Sequence, residues 1–164
     1  MISPDRIKEI GTVIHRLVKK PDVIAAIEKA SEIARKELAS DSTKLAAASS
    51  IPVSVFGPDL PSELKTCRLA IMRGNTEYHV ERHPNGIQYV YSLQNNGSIS
   101  IFREGKWHRT ELSSASNALL SERWHVVPIN DWHQPVPKEA DWVVLAFHSA
   151  EPGTLVDDYG FKEC

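Results

Sequence analysis

The chain has 164 residues, 41% hydrophobic and 24% charged, with a net charge of −2 from 19 basic and 21 acidic residues. That suits one globular domain with a single good core. The balance lacks the basic excess of a nucleic-acid binder, and no stretch approaches the ~18 apolar residues of a membrane span.

Residues 1–46 read as two helices. Ser3-Pro4-Asp5 is a start signal: a capping hydroxyl, a proline in the first turn and an acid at the positive dipole end. Ile7, Ile10, Ile14 and Leu17 follow at helical spacing, and Lys19-Lys20 close the helix before Pro21 breaks it. Ile24, Ile27, Ala34 and Leu38 mark one side of a second helix. Two such helices joined tightly form a hairpin that needs a surface to lie on.

From Ile51 the texture changes. Strand-like runs cover 51–56, 67–73, 88–93, 98–102, 124–128 and 142–148, punctuated by Gly57-Pro58, Pro84-Asn85-Gly86, Asn95-Asn96-Gly97 and Glu104-Gly105. Short strands at close spacing with no helix between them predict an all-β sandwich or barrel. Residues 113–121 read as a loop with room for a helical turn, and the acidic tail after Pro152-Gly153 reads as peripheral. Cys67 and Cys164 lie apart in sequence, the second at the terminus, and are expected to be free thiols of a reducing, cytoplasmic protein. The N-terminus shows no apolar signal core, because Asp5, Lys8 and Glu9 interrupt it.

Two histidine-bearing stretches carry the chemistry. The first runs from Tyr78 to Gln88, the second from Trp124 to His133. His79, Glu81 and His83 are spaced by two, which places them on one face of a strand. The turn at Pro84-Asn85-Gly86 can return the chain so that Gln88 stands beside His83. His133 would reach the same point from a facing strand. His148 ends an apolar run and is either a core residue or an acid–base group at the cavity mouth. Arg73 could hold a substrate carboxylate, and His79 could line the cavity. His15 and His108 read as surface residues, and His125 as part of a polar strand face. Trp124, Trp132 and Trp142 read as core packing, with stacking on a ring-bearing ligand the alternative. No P-loop, Gly-x-Ser-x-Gly, dinucleotide fingerprint or Cys-x-x-Cys pair occurs.

Residues 70–148 resemble the cupin superfamily, small barrels of the double-stranded β-helix (jelly-roll) kind. His83 matches the second histidine of the first cupin motif, and Pro128 and His133 match the proline and histidine of the second. Gly74 and Gly97 lie within a residue or two of the first motif's glycines. Glu81 stands where the first histidine is expected, Gln88 where the glutamate is expected, and Asn130 where the second motif has glycine. The resemblance implies a mainly β fold over 47–164 with the hairpin of 1–46 packed on it, and a homodimer. It also implies a divalent ion held by Glu81, His83, His133 and Gln88. Two imidazoles and a carboxylate favour iron(II), with manganese, nickel or zinc as alternatives. The expected function is a metal-dependent enzyme acting on a small organic molecule by oxygenase, isomerase or lyase chemistry. The alternatives are a non-catalytic small-molecule binder, with or without metal, and a metal-free isomerase using His79 or His83 as base.

Overall fold

The computed structural model describes residues 2–162; Cys164, expected as a free thiol, lies outside them. Helix α1 (Pro4–Leu17) opens on Ser3, whose side chain accepts from the Arg6 amide at 3.2 Å. Helix α2 (Pro21–Ser40) takes Pro21 at its first turn, where a missing N–H costs nothing. Eight strands follow: β1 (Ala46–Ser50), β2 (Thr66–Met72), β3 (Gln88–Gln94), β4 (Asn96–Arg103), β5 (Lys106–Ser113), β6 (Trp124–Val127), β7 (His133–Pro137) and β8 (Trp142–His148). A short helix, α3 (Leu120–Arg123), precedes β6.

The strands form two antiparallel sheets, ordered β1-β2-β8-β3-β6 and β5-β4-β7. Residues of both sheets meet in an inner cluster that includes Val90, Ile99, Ile101, Trp142 and Val144. The helices lie on the opposite face of the larger sheet. Ile10, Ile14, Leu17, Val23, Ala34 and Leu38 pack there with Leu69, Ile71, Tyr89, Leu145 and Phe147. Burying each large apolar side chain is worth about 1.5–3 kcal/mol, so the sheet supplies the surface the helices lack alone. Among the described residues no helix is long and apolar enough to cross a membrane.

Several expectations shift. Val23, not Ile24, faces the sheet on α2; Ile24 is exposed. Residues 51–56 are not a strand. Pro52 and Gly57 (φ 82°) bracket a 3₁₀ turn over Val53–Phe56, and the strand lies just before it, in the alanine- and serine-rich β1. Strand β5 is exposed along most of both faces, so it carries no alternation to read. It is specified instead by the turn at Glu104-Gly105, whose φ values of 51° and 74° suit a tight hairpin. His15 is half-buried, its Nδ1 2.7 Å from the Tyr91 hydroxyl. Gly97 meets the ring of Trp142, and a Cβ there would overlap that ring.

Candidate metal centre

Two backbone hydrogen bonds clamp the histidine stretches together. Glu81 N–H donates to the His133 carbonyl at 2.9 Å, and His133 N–H to the Glu81 carbonyl at 2.8 Å. The Asn130 amide donates to the His83 carbonyl at 3.0 Å. Asn130 does so with φ 66°, a left-handed conformation that asparagine tolerates better than most residues, which is why it can stand at a glycine position. The turn after His83 forms, closed by Gly86 N–H to the His83 carbonyl.

Glu81, His83 and His133 converge, each offering a ligand atom within 4.8 Å of the others. Glu81 Oε1 lies 3.4 Å from His133 Nε2 and 4.0 Å from His83 Nε2. All three residues are buried, at 8%, 3% and 1% exposure. Neither Nε2 has a hydrogen-bond partner.

The other ring nitrogens explain the arrangement. His83 Nδ1 lies 3.4 Å from the Val156 carbonyl and 3.0 Å from Asp157 Oδ1. His133 Nδ1 lies 3.2 Å from the Asp131 carbonyl. Every one of these neighbours is an acceptor, so Nδ1 carries the proton in both rings and Nε2 presents its lone pair inward. Two imine nitrogens facing a carboxylate in a buried space could hold a cation between them.

Burial pushes the Glu81 carboxyl up, but the neighbouring His133, with the charges of His83 and Arg68, outweighs it and holds it below its usual range. Burial pushes His83 down, only partly offset by Glu81. An ionised Glu81 and a neutral His83 are ligand forms.

His148 lines the same cavity, its ring 5.0 Å from that of His83. Burial first, and then the neighbouring His83, Arg68 and His133, hold it well below its usual pKa. Gln88 also lines the cavity, its amide nitrogen 3.4 Å from His148 Nε2. The strands explain the placement, since Gln88 and His148 are paired across β3 and β8.

Two expected residues lie elsewhere. His79 is exposed, its ring beside those of Tyr78 and Tyr159. The segment before Glu81 is not a strand, and only Glu81 and Arg82 make isolated bridges, so strand alternation does not carry back to residue 79. Arg73 holds no cavity position. Its guanidinium donates to the carbonyls of Lys44, Leu38 and Asp41 at 2.7, 2.6 and 3.3 Å, closing the end of α2.

The tail is not peripheral. Arg82 and Asp158 pair through backbone and side chain, the latter at 2.7 Å, and Asn85 bonds to Thr154 and Val156. This strap brings Asp157 to His83 and Tyr159 into the cavity wall. Asp157, Tyr159, Tyr78 and Arg68 were not singled out as cavity residues from the sequence, and the tail offered no periodicity by which to place the first two. Burial and the charges of Glu81 and Asp157 raise the Tyr159 phenol to about 12. Burial likewise raises the Cys67 thiol, which lies on the helix-covered side of the sheet and has no nucleophile's setting. Trp124 packs among Tyr89, Tyr91 and Gly11, and Trp142 fills the sandwich interior with Nε1 donating to Ser92 Oγ at 2.9 Å. Trp132 lies under the Arg82 guanidinium at 4.5 Å.

No protein-family model and no curated protein matches the chain. Solved structures do. A Lactobacillus farciminis oxalate decarboxylase, as its formate complex, aligns at 13% identity and TM-score 0.54, covering 71% of this chain and 32% of that one. An oxalate oxidase in complex with glycolate aligns at 8% identity and TM-score 0.52, covering 71% of this chain and 57% of that one. The coconut allergen cocosin aligns at 11% identity and TM-score 0.54, covering 71% of this chain and 29% of that one. The chain thus spans about a third of the decarboxylase and little more than half of the oxidase. All three are cupins, and at these identities the likeness establishes architecture alone: the chain has the cupin fold.

Proposed function

We propose that the chain is a metal-dependent, cupin-type enzyme acting on a small organic molecule, with a divalent ion held by Glu81, His83 and His133. One observation carries this reading: two buried Nε2 atoms without partners face a carboxylate, and both opposite ring nitrogens lie beside acceptors. The donor set fits the two-histidine, one-carboxylate arrangement that suits iron(II), and manganese, nickel and zinc are alternatives. Such an ion supplies Lewis acidity or redox chemistry, which covers oxygenation, isomerisation and lyase reactions.

The chain's own residues do the remainder. The carbonyls of Val156 and Asp131 orient the two rings, and the Asp157 carboxylate lies against His83 Nδ1. Gln88 is a further donor or a polar wall, and His148 beside it is a neutral ring that can exchange a hydrogen bond with a bound molecule.

Elemental analysis of the purified chain tests this. About one equivalent of iron, manganese, nickel or zinc is expected, lost in His83→Ala. A wild type that carries none of the four, and whose melting temperature none of them raises, removes the reading, because binding to the native state must stabilise it.

A second reading is a small-molecule binder without catalysis. The fold does not separate the two: the decarboxylase and the coconut allergen match with the same TM-score. Turnover of small acids and phenols by the metal-loaded chain decides between them.

A further inference from the structure

The cavity beside the triad holds about 220 Å³, below the 300–1,000 Å³ that houses drug-sized ligands. At water's share of about 30 Å³ per heavy atom it has room for roughly seven non-hydrogen atoms. Its composition is uneven. On the inner face of the larger sheet the wall is built from Ala70, Ala146, Val90 and Val144, with Ala46 and Ala48 at the edge strand. Alanine is a poor strand residue, and on the inner face it trades packing for space. The other face of the same strands carries the larger Leu69, Ile71, Leu145 and Phe147, packed in the helix-covered core.

One Lys or Arg lines this cavity among the described residues: Arg68, on the inner face of β2 beside Ala146. Arg68 also lines the groove outside, with Ser50 and Pro152, so its guanidinium stands at the mouth. Its acid partner there is weakly engaged. Arg68 Nη1 lies 3.5 Å from Asp157 Oδ2, while Asp157 Oδ1 is turned to His83 Nδ1 at 3.0 Å. Most of the guanidinium fork is therefore left for a second acceptor, and carboxylate is the group whose geometry it matches. Tyr78 and Tyr159 line the same cavity and add two hydroxyl donors.

We propose that the cavity takes a small monocarboxylic acid with a compact apolar body, its carboxylate held at the mouth by Arg68 with the Tyr78 and Tyr159 hydroxyls, and its body against the alanine wall. This deepens the metal-dependent reading and rests on it for one point, that the far end of the acid meets the triad. An uncharged analogue would leave Arg68 unanswered.

Calorimetric titration of the metal-loaded full chain with 3-methylbutanoate and 3-methylbutanamide tests the assignment. The acid is expected to bind at millimolar affinity or better, and the amide at least about tenfold more weakly. Arg68→Gln lowers acid affinity about tenfold or more, with metal content and melting temperature unchanged, since Arg68 is half exposed and its one ion pair is long. Ala70→Leu fills the wall and lowers acid affinity while Arg68 stays in place. Equal affinity for acid and amide, an unaltered Arg68→Gln, or no binding of the acid overturns the proposal. The same titration after chelation separates two failures. Acid binding that depends on Arg68 in a chain that takes up no metal supports the carboxylate site and removes the metal reading. Acid binding that vanishes with the metal and ignores Arg68→Gln puts the carboxylate on the ion and overturns the Arg68 assignment alone.

Discussion

The two faces of the five-stranded sheet are made by the same strands and do opposite things. One face carries Cys67, Leu69, Ile71, Tyr89, Tyr91, Leu145 and Phe147 and is sealed by α1 and α2. The other carries Arg68, Ala70, Gln88, Ala146 and His148 and lines a cavity. A period of two lets one ladder of hydrogen bonds support both. The helix side holds the larger apolar cluster, while the inner face sets small and polar side chains beside a smaller cluster of Val90, Trp142 and Val144. Separate substitutions on the two faces test how independent they are.

The largest effect is expected from Phe147→Ala. Its ring is fully buried edge-on against Phe56, 5.2 Å between centroids, and removal costs about 3–5 kcal/mol by denaturant titration. Metal stoichiometry in the surviving folded fraction should stay near that of wild type; loss of metal there would show that the faces are coupled. Next comes His133→Ala, the mirror experiment. Metal content should fall to background, and with chelator present the stability should fall by about 2–4 kcal/mol, because the change leaves a cavity and takes a partner from the buried Glu81 carboxylate.

Acid sharpens the comparison further. His148 and His125 are held neutral by burial, His125 down to about 4. Unfolded histidine titrates near 6.5, so below that pH the unfolded chain binds protons that these rings refuse. Stability of the chelated protein is therefore full above about pH 6.5 and falls as pH drops toward about 4. His125→Leu should make that decline shallower; an unchanged slope would show that the ring is not held neutral. The smallest effect is Arg73→Met, which removes three hydrogen bonds to carbonyls at the end of α2. It should cost about 1–3 kcal/mol and leave metal content and acid binding untouched. A loss of ligand affinity instead would return Arg73 to the binding site.

Parts of the site were legible because their signals are local. Pro84-Asn85-Gly86 announces a turn, and Pro128 with His133 and the Glu81–His83 pair announces a cupin-like chemistry. His79 misled because alternation was extended into a segment that is not a strand. Arg73 misled because an arginine near a motif looks the same whether it meets a ligand or three carbonyls. Strand β1 was hidden by its alanines and serines, and the tail by having no period at all.

The sequence by itself determined the helix starts, most of the strands, the two histidine stretches and the cupin resemblance, since each rests on neighbours within a few residues. Only the tertiary structure decided which ring nitrogens face inward, that Asp157 stands behind His83 from a tail some seventy residues away, and that Arg68 lines both the cavity and the groove outside it. Those facts depend on which acceptor lies against which atom, and long-range packing, not local propensity, sets that.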